Sequence, residues 1–413
     1  MNSRPASVSV RSVDEYRAAI DELLRPLLTR PAETVALPRA LGRRLAEDVR
    51  SPIDLPVFRN SAMDGYAVRS SAVVVAPVTL PLTGLVAAGD AGTTPLEPGS
   101  AVKVMTGAPL PPGADCVVPV EDTNTDEIVV TIERGRTAGE FVREAGTDVR
   151  AGDLIAAAGT TLEPRHIAAL AAVGQATVSV TCRVRAAVLT TGDELVPAGS
   201  ALRPGQIYNS NGIALAAALT ANGAEVVSIA HSGDDPAQFR AKLSEATERA
   251  EVVFTSGGVS KGDFEVVKDV LEPMGGQFGT IAVQPGGPQG RTVVDGVPVL
   301  SFPGNPVSTM VSFEVFVRAL LRAASGLPAV REYRLPLHNA LARSPEGRRQ
   351  FLRGKLLHSA EPDDVYRVPT AVEVVSGPGS HLVASMAAAD VLIDVPAETT
   401  ALAAGALVRV WSL

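Results

Sequence analysis

Four loops between residues 190 and 308 combine glycine with hydroxyl or carboxylate side chains. They read TTGDE (190–194), GDD (233–235), SGGVSKGD (256–263) and PGNPVS (303–308). Glycine lets backbone N–H groups approach a ligand closely, and helix N-termini attract anions. Carboxylates in the same loops suit a hard divalent cation, Mg²⁺, that bridges phosphate oxygens. Together the loops predict a site for a phosphorylated small molecule and magnesium.

Each loop taken alone also has a purely structural explanation. Glycine-rich turns are common between strand and helix, and an aspartate at such a turn often caps the helix. Asp235, followed by Pro236, has the pattern of an N-cap before a first helical position. The segment NSAMDGYA (60–67) likewise fits an ordinary turn. Four such loops on one edge of a sheet would weaken the structural explanation.

A second reading of the chemistry is an α/β-hydrolase with Ser260 as nucleophile. GVSKG around Ser260 fits G-x-S-x-G between a strand and a helix, and Asp295 and His338 follow in the required order. Against this, His338, His358 and His381 lie in a β-rich C-terminal segment, and no HGGG-type oxyanion loop precedes the serine. Walker A and G-x-G-x-x-G motifs are absent, so neither a P-loop NTPase nor a Rossmann dehydrogenase is supported.

The elements that must position these loops come from the segment 184–326. Strand-like runs (VRAAVLTT, AEVVSIAH, EVVFT, VPVLSF) alternate with helical runs, and PVSTMVSFEVFVRALLRAAS is typical of one long helix. Such alternation predicts a parallel, doubly wound α/β sheet, whose ligands bind at the carboxyl ends of the strands. Residues 13–29 predict an amphipathic helix, because apolar residues recur there at spacings of three and four.

The rest of the chain reads as β-rich. Short strand-like runs separated by turns occupy about 70–145, and 327–413 has a similar pattern. The length of 413 residues, 46% hydrophobic, suggests about two to four domains.

Composition and charge exclude several classes of protein. The net charge of −8 disfavours nonspecific nucleic-acid binding. No apolar run of membrane-spanning length and no secretory signal is seen. Two cysteines 66 residues apart form neither a zinc pattern nor a disulfide framework, which favours the reducing cytoplasm.

Nine motifs, in order, resemble the molybdopterin molybdenumtransferase family (MoeA and the E domain of gephyrin). They are NSAMDGYA (60–67), MTGAPLPPGAD (105–115), REAGTDVRAGD (143–153), TTGDEL (190–195), GQIYNSN (205–211), GDDP (233–236), SGGVSKGDFEVVK (256–268), QPGGP (284–288) and FPGNPVS (302–308). The resemblance spans nearly the whole chain and implies a multidomain fold of α/β and β parts. Its implied domains are a discontinuous N-terminal domain (8–50 and 147–180), a β-rich insert (51–146), a molybdopterin-binding-like α/β domain (181–326) and a C-terminal β-barrel-like domain (327–413).

The resemblance implies a role in molybdenum cofactor biosynthesis. Such an enzyme inserts molybdate into adenylylated molybdopterin with Mg²⁺ and releases AMP and the molybdenum cofactor. It also implies a homodimer whose site is shared between protomers, with Asp64 and Thr106 supplied in trans. The upstream molybdopterin adenylyltransferase is a candidate partner, and no nucleic-acid or membrane partner is expected.

The resemblance also assigns roles to individual residues. The catalytic positions are acidic or polar, and two of them, Glu194 and Asp234, are also the predicted metal ligands. Arg353 matches a position on the molybdate side, where a guanidinium can bind an oxyanion with two hydrogen bonds; a solvated surface arginine is the alternative. The catalytic set is Asp64, Thr106, Asp148, Glu194, Asp234 and Glu265, and the substrate-binding set is Ser256, Gly257, Gly258, Ser260, Lys261, Asp263, Gln284, Pro303, Gly304, Asn305, Ser308, Arg353 and Ser380.

The chain departs from the family pattern at a few positions. Thr280, Gln284 and Gly287 stand in a segment where many members carry lysines. An amide donates a hydrogen bond but no charge, so we expect weaker molybdate binding. Glu265 replaces a usual aspartate, and Lys261 replaces a usual apolar residue. We hypothesise that Lys261 restores part of the missing charge; an unchanged molybdate dependence after Lys261→Met would refute this.

These departures leave two functions open. The lost lysines favour a binding or scaffold paralogue that keeps the fold and the dimer but handles molybdate poorly, a role suggested by gephyrin's use as a clustering protein. The intact acidic set favours the active transferase.

Overall fold

The computed structural model describes residues 10–126, 128–259, 265–358 and 368–413. The chain divides into two compact units, Met1–Glu33 with Thr181–Leu413, and Thr34–Val180. Among the described residues, no helix combines the length and the apolar character needed to cross a membrane.

The larger unit contains a six-stranded sheet with helices on both faces. Its first four strands pair in parallel, which confirms the predicted α/β class. The fifth and sixth strands are antiparallel to their neighbours, which the alternation of strands and helices in the sequence did not predict. An Asp295–Gly296 turn, with both φ angles positive, joins strands five and four, as is typical of tight hairpins. The spatial order is Glu225–Ser232, Arg185–Thr191, Val252–Ser256, Val297–Phe302, Pro288–Val294 and Gln277–Thr280.

The helices of this unit follow the predicted positions with two differences. The helix predicted over 13–29 ends at Leu24 and is followed by a 3₁₀ helix, Arg25–Leu28. Asp235 caps its helix as predicted, since its carboxylate accepts the Ala237 N–H at 3.1 Å. The predicted long helix breaks at Val317, whose φ of −123° and ψ of −42° lie outside the helical range. Two separate core clusters contain the helix residues of this unit. Phe239 and Val267 belong to one cluster, and Phe313 belongs to the other. The helices are Val13–Leu24, Ser210–Ala221, Pro236–Thr247, Val266–Leu271, Pro306–Phe316, Arg318–Ala324 and Val383–Ala387.

A second six-stranded sheet forms the C-terminal barrel of the larger unit. A bridge between Leu337 and Val372 joins the two sides of the sheet and closes it. One strand, Val283–Gln284, comes from the α/β segment and pairs with the start of Arg349–His358. The loop after Val283 is therefore fixed to the barrel. The order is Val283–Gln284, Arg349–His358, Val391–Val395, Leu407–Ser412 and Glu332–Pro336, with Pro369–Val374 paired to Arg349–His358.

The smaller unit is built mainly of β-structure. Its sheet encloses a core around Tyr66, Val68 and Ile132, and one helix, Pro164–Ala172, packs in a separate cluster. Short paired strands lie outside this sheet, among them Val49–Arg50 with Leu154–Ala156 and Asn60–Ser61 with Val142–Arg143. The sheet order is Cys116–Pro119, Gly65–Val68, Ala101–Val104, Val78–Val86, Val129–Ile132 and Thr123–Thr125.

Candidate functional site

The carboxyl ends of the four parallel strands open into one cavity of about 760 Å³, here called the strand-end cavity. All four sequence-predicted loops line it, at the edge where open α/β sheets bind ligands. Three further segments contribute to the wall: residues 207–211, residues 284–286, and residues 378–381 of the barrel. The predicted site residues in its lining are Glu194, Asp234, Ser256, Gly257, Gly258, Glu265, Gln284, Pro303, Gly304, Asn305, Ser308 and Ser380.

Glycine is required where the loops touch one another. Gly257 has φ of +103°, and a Cβ there would lie 2.7 Å from the Thr191 hydroxyl and 2.8 Å from the Thr191 carbonyl oxygen. On its other side, a Cβ on Gly304 would lie 3.4 Å from the Cα of Gly257. The third loop is thus packed between the first and the fourth, which brings three backbone segments to the floor of one cavity.

A buried polar network holds the third and fourth loops together. The amide of Asn211 donates to the Ser256 hydroxyl at 2.9 Å and to the Gly304 carbonyl at 2.7 Å. The Thr309 hydroxyl donates to the Pro303 carbonyl at 2.6 Å. Sequence reasoning assigned no role to Asn211 or Thr309, although Asn211 lies in the GQIYNSN motif.

The carboxylates lie at the sheet side of the cavity. Asp193 does not line it; its Oδ1 accepts the Asp234 N–H at 3.1 Å and so ties the first loop to the second. Glu194 folds back over Gly192, where a Cβ would lie 2.4 Å from a Glu194 oxygen. Within the described chain, no group of three or more His, Cys, Asp or Glu could hold a metal ion. Mg²⁺ commonly uses one or two carboxylates with substrate phosphates and water, which Glu194 and Asp234 fit.

Arg353 supports the opposite wall from within the barrel. Its side chain is 0% exposed, so the alternative of a solvated surface arginine is wrong. Nη2 donates to the Ser376 hydroxyl at 3.0 Å and to the carbonyls of Gly377 and Gly379. Nε and Nη1 have no hydrogen-bond partner in the described structure. Desolvation lowers the pKa of Arg353 from its usual value. Arg353 does not itself line the cavity.

The barrel loop is also attached to the start of the helix Pro306–Phe316. The Val307 N–H donates to the Ser380 carbonyl at 3.0 Å, and Ser308 next to it is 2% exposed. A helix N-terminus carries partial positive charge and favours an anion. Ser308, Ser380 and the Arg353 network therefore lie around one part of the cavity wall.

Among the departures from the family pattern, Gln284 lies in the cavity wall. Its side-chain oxygen accepts a hydrogen bond of 2.5 Å from the Gln350 amide. Thr280 and Gly287 do not belong to the lining. The loss of a cationic side chain from the cavity wall therefore concerns position 284.

Three predicted catalytic residues lie in the smaller unit. Asp64 and Thr106 form a pair: the Asp64 carboxylate accepts the Thr106 N–H at 2.6 Å and the Thr106 hydroxyl at 2.9 Å. Both bonds lower the pKa of Asp64, and the bond from the Thr106 backbone has the larger effect. Asp148 is exposed, and its N–H donates to the Leu55 carbonyl at 2.9 Å.

The hydrolase alternative finds little support in the geometry. Ser260, with Lys261 and Asp263, lies outside the described residues. Asp295 lies in the turn before Val297–Phe302, at the end of that strand remote from the cavity. Asp295 is therefore not part of the strand-end cavity. His381 lines the cavity, which its position in the β-rich segment did not suggest.

Comparisons with known proteins agree with this architecture. Residues 11–174 match the model of the MoeA N-terminal region (domain I and II). Residues 187–323 match a probable molybdopterin binding domain, and 334–413 the MoeA C-terminal region (domain IV). Molybdopterin molybdenumtransferase 2 of Mycobacterium tuberculosis is 43% identical, over 98% of this chain and 100% of the relative.

The chain belongs to the molybdopterin molybdenumtransferase family. Molybdopterin molybdenumtransferase 1 of the same organism is 36% identical over 97% of this chain and 98% of its own length. Among solved structures, a molybdopterin biosynthesis MoeA protein from Pyrococcus horikosii superposes with a TM-score of 0.77. It is 32% identical, with coverage of 98% of this chain and 99% of that one.

Proposed function

We propose that this chain inserts molybdate into adenylylated molybdopterin and releases AMP and the molybdenum cofactor, in a Mg²⁺-dependent reaction in the cytoplasm. The observation that carries the proposal is the strand-end cavity. One wall presents carboxylates on glycine-rich loops, and another presents hydroxyls and a helix N-terminus supported by a buried, partly unpartnered arginine.

The loops of the α/β sheet would bind the nucleotide and its pyrophosphate. Backbone segments at Gly257 and Gly304 lie side by side on the cavity floor, where no side chain prevents close approach of a phosphate. Asn211 and Thr309 position them. Mg²⁺, held by Glu194 and Asp234 together with phosphate oxygens, would neutralise charge on the pyrophosphate.

The barrel wall would bind the molybdate substrate. Ser308 and Ser380 supply hydroxyl groups, and Gln284 supplies an amide. Arg353 holds the carbonyls of Gly377 and Gly379, and its Nε and Nη1 atoms, with no partner in the described structure, leave a buried positive charge behind this wall. Holding molybdate beside the pterin converts a two-molecule encounter into a local one, which lowers the barrier to insertion.

The proposal includes a homodimer in which Asp64 and Thr106 of one copy complete the site of the other. The exposed hydrogen-bonded pair in the smaller unit and the family resemblance support it. Mixing Asp64→Asn with Asp234→Asn chains tests it. If the residues act in trans, mixed dimers contain one intact site, so equal mixing restores about a quarter of the activity. If they act in cis, no activity returns. The molybdopterin adenylyltransferase remains the proposed upstream partner.

The second candidate is a scaffold paralogue, favoured by Gln284 in place of a lysine. Purified protein with adenylylated molybdopterin, Mg²⁺ and molybdate distinguishes the two functions. AMP release coupled to active cofactor supports the transferase. A tight dimer without turnover supports the scaffold.

A further inference from the structure

A second cavity of about 340 Å³ opens at one end of the C-terminal barrel, here called the barrel-mouth cavity. Leu341, Leu352 and Val374 form its apolar part. Its polar lining consists of Asn339, Arg343, Gln350, Ser376 and the backbone of Gly377. Concave sites with an apolar base and a few convergent polar groups are typical of small-ligand pockets.

Gln350 is the observation that points to a ligand. Its side chain is 2% exposed, and its Oε1 has no hydrogen-bond partner in the described structure. A buried polar atom without a partner is destabilising, so its presence calls for an explanation, and a bound ligand is one. The amide nitrogen is engaged with Gln284 at 2.5 Å. Gln350 belongs to the cavity lining, and its unpartnered oxygen lies in the buried part of that wall.

The unpartnered end of the Gln350 amide can be either an acceptor or a donor. Rotating both amides by 180° keeps their mutual hydrogen bond with donor and acceptor exchanged. In that state the Gln350 oxygen is paired, and its NH₂ group takes the unpartnered position in the cavity wall. Arg343, also in the lining, has no ion-pair partner among the described residues. Glu373 is outside the lining and accepts a hydrogen bond from Asn339 at 3.0 Å.

One cation, an amide donor and the Ser376 hydroxyl match the needs of an oxyanion. We propose that the barrel-mouth cavity binds a small inorganic oxyanion at a site distinct from the strand-end cavity. The two cavities share Pro378 in their walls. Arg353 donates hydrogen bonds to the Gly377 and Gly379 carbonyls of the same loop. An anion at the barrel mouth would therefore lie one loop away from Ser380.

Calorimetric titration of the full-length protein with sulfate, phosphate and molybdate, each in turn and without pterin, tests the proposal. For at least one anion, we expect a binding event that Arg343→Gln weakens at least tenfold and that Ser380→Ala leaves in place. Arg348→Gln is the matched control, because Arg348 is an exposed arginine nearby that does not line the cavity. It should bind like the wild type.

The three anions distinguish the sources. Binding of molybdate at the barrel mouth would make it a second site for the cargo, whereas binding of sulfate or phosphate alone would make it a site for common cellular anions. Both results support an oxyanion site. Identical binding by wild type, Arg343→Gln and Arg348→Gln for all three anions would overturn it. Because no pterin or turnover is involved, this outcome is independent of the proposed transferase activity. If a Gln350→Met variant folds, it should lose the same binding event as Arg343→Gln.

Discussion

The two walls of the strand-end cavity are built in opposite ways. The sheet wall takes its carboxylates from short loops, each fixed by contacts with the next loop, as between Asp193 and Asp234. The barrel wall depends on Arg353, which is buried in the barrel and distant in sequence from the loops of the sheet. Arg353 supports the loop that carries Ser380 through hydrogen bonds to its carbonyls. The first wall is negative and open to the cavity. The second is supported by a buried positive charge, two of whose nitrogens have no hydrogen-bond partner in the described structure. This difference matches the proposed function, in which Mg²⁺ and phosphates bind at the sheet wall and molybdate binds at the barrel wall.

The largest expected effect concerns the sheet wall. Asp234→Asn removes a proposed Mg²⁺ ligand, and we expect AMP release to fall at least about 100-fold at every molybdate concentration. Saturating Mg²⁺ should recover part of the loss if the carboxylate acts through the metal. Glu245→Gln, an exposed change on the neighbouring helix, is the control and should leave the rate unchanged. If Asp234→Asn released AMP at the wild-type rate, the carboxylates of the sheet wall would have no part in the reaction.

The next effect concerns the barrel wall. Arg353→Met should raise the molybdate concentration for half-maximal rate about tenfold or more, since the loop carrying Ser380 loses its hydrogen bonds and the wall loses its buried positive charge. Its effect on folding should be smaller than that of Arg349→Met. Arg349 is paired with Asp394 at 2.6 Å, and breaking such a pair leaves a buried carboxylate at a cost of about 3 kcal/mol. Chemical unfolding of both variants checks the difference. Equal destabilisation would show that Arg353 is a structural charge.

A smaller gain is expected from restoring a family lysine. Gln284→Lys places a cation in the cavity wall and should lower the half-saturating molybdate concentration about threefold or more, with an unchanged maximal rate. Thr280→Lys is the matched control, because Thr280 does not line the cavity. If both changes act alike, the benefit comes from the overall charge of the protein and not from the barrel wall.

The smallest effect lies outside both walls, at the pair in the smaller unit. Thr106→Val removes the hydroxyl bond to Asp64, so the pKa of Asp64 should rise toward its usual value. Because the folded-state pKa is lowered, the pair's contribution to stability is present above the unfolded pKa and is lost as pH falls through the folded one. Carbon NMR titration of the carboxylate measures the shift. An unchanged pKa would mean that the backbone bond alone sets it.

The same contrast explains what the sequence could predict. The four loops, the parallel strands before them and the Asp235 cap are local patterns, so their spacing was enough to place them. The family resemblance named Arg353 and Ser380, but burial of an arginine depends on strands that pair across the barrel. The Gln284–Gln350 bond, the position of Val283–Gln284 in the barrel and the role of Asn211 are long-range contacts that no short window of sequence contains.

The helix break at Val317 and the antiparallel hairpin are local features that the sequence analysis did not predict. The Asp-Gly dipeptide at 295–296 is a local hairpin signal that the strand–helix alternation obscured. At Val317 the apolar pattern continues without interruption, so periodicity alone predicts one helix where the structure has two.

AMP release measured across a matrix of molybdate and Mg²⁺ concentrations tests the two-wall account most directly, in wild type, Asp234→Asn and Arg353→Met. The account predicts that excess Mg²⁺ improves the Asp234 variant and excess molybdate improves the Arg353 variant, with neither ion helping the other. If molybdate rescues Asp234→Asn, or if Arg353→Met is equally impaired at every molybdate concentration, the assignment of cation and oxyanion to separate walls is contradicted.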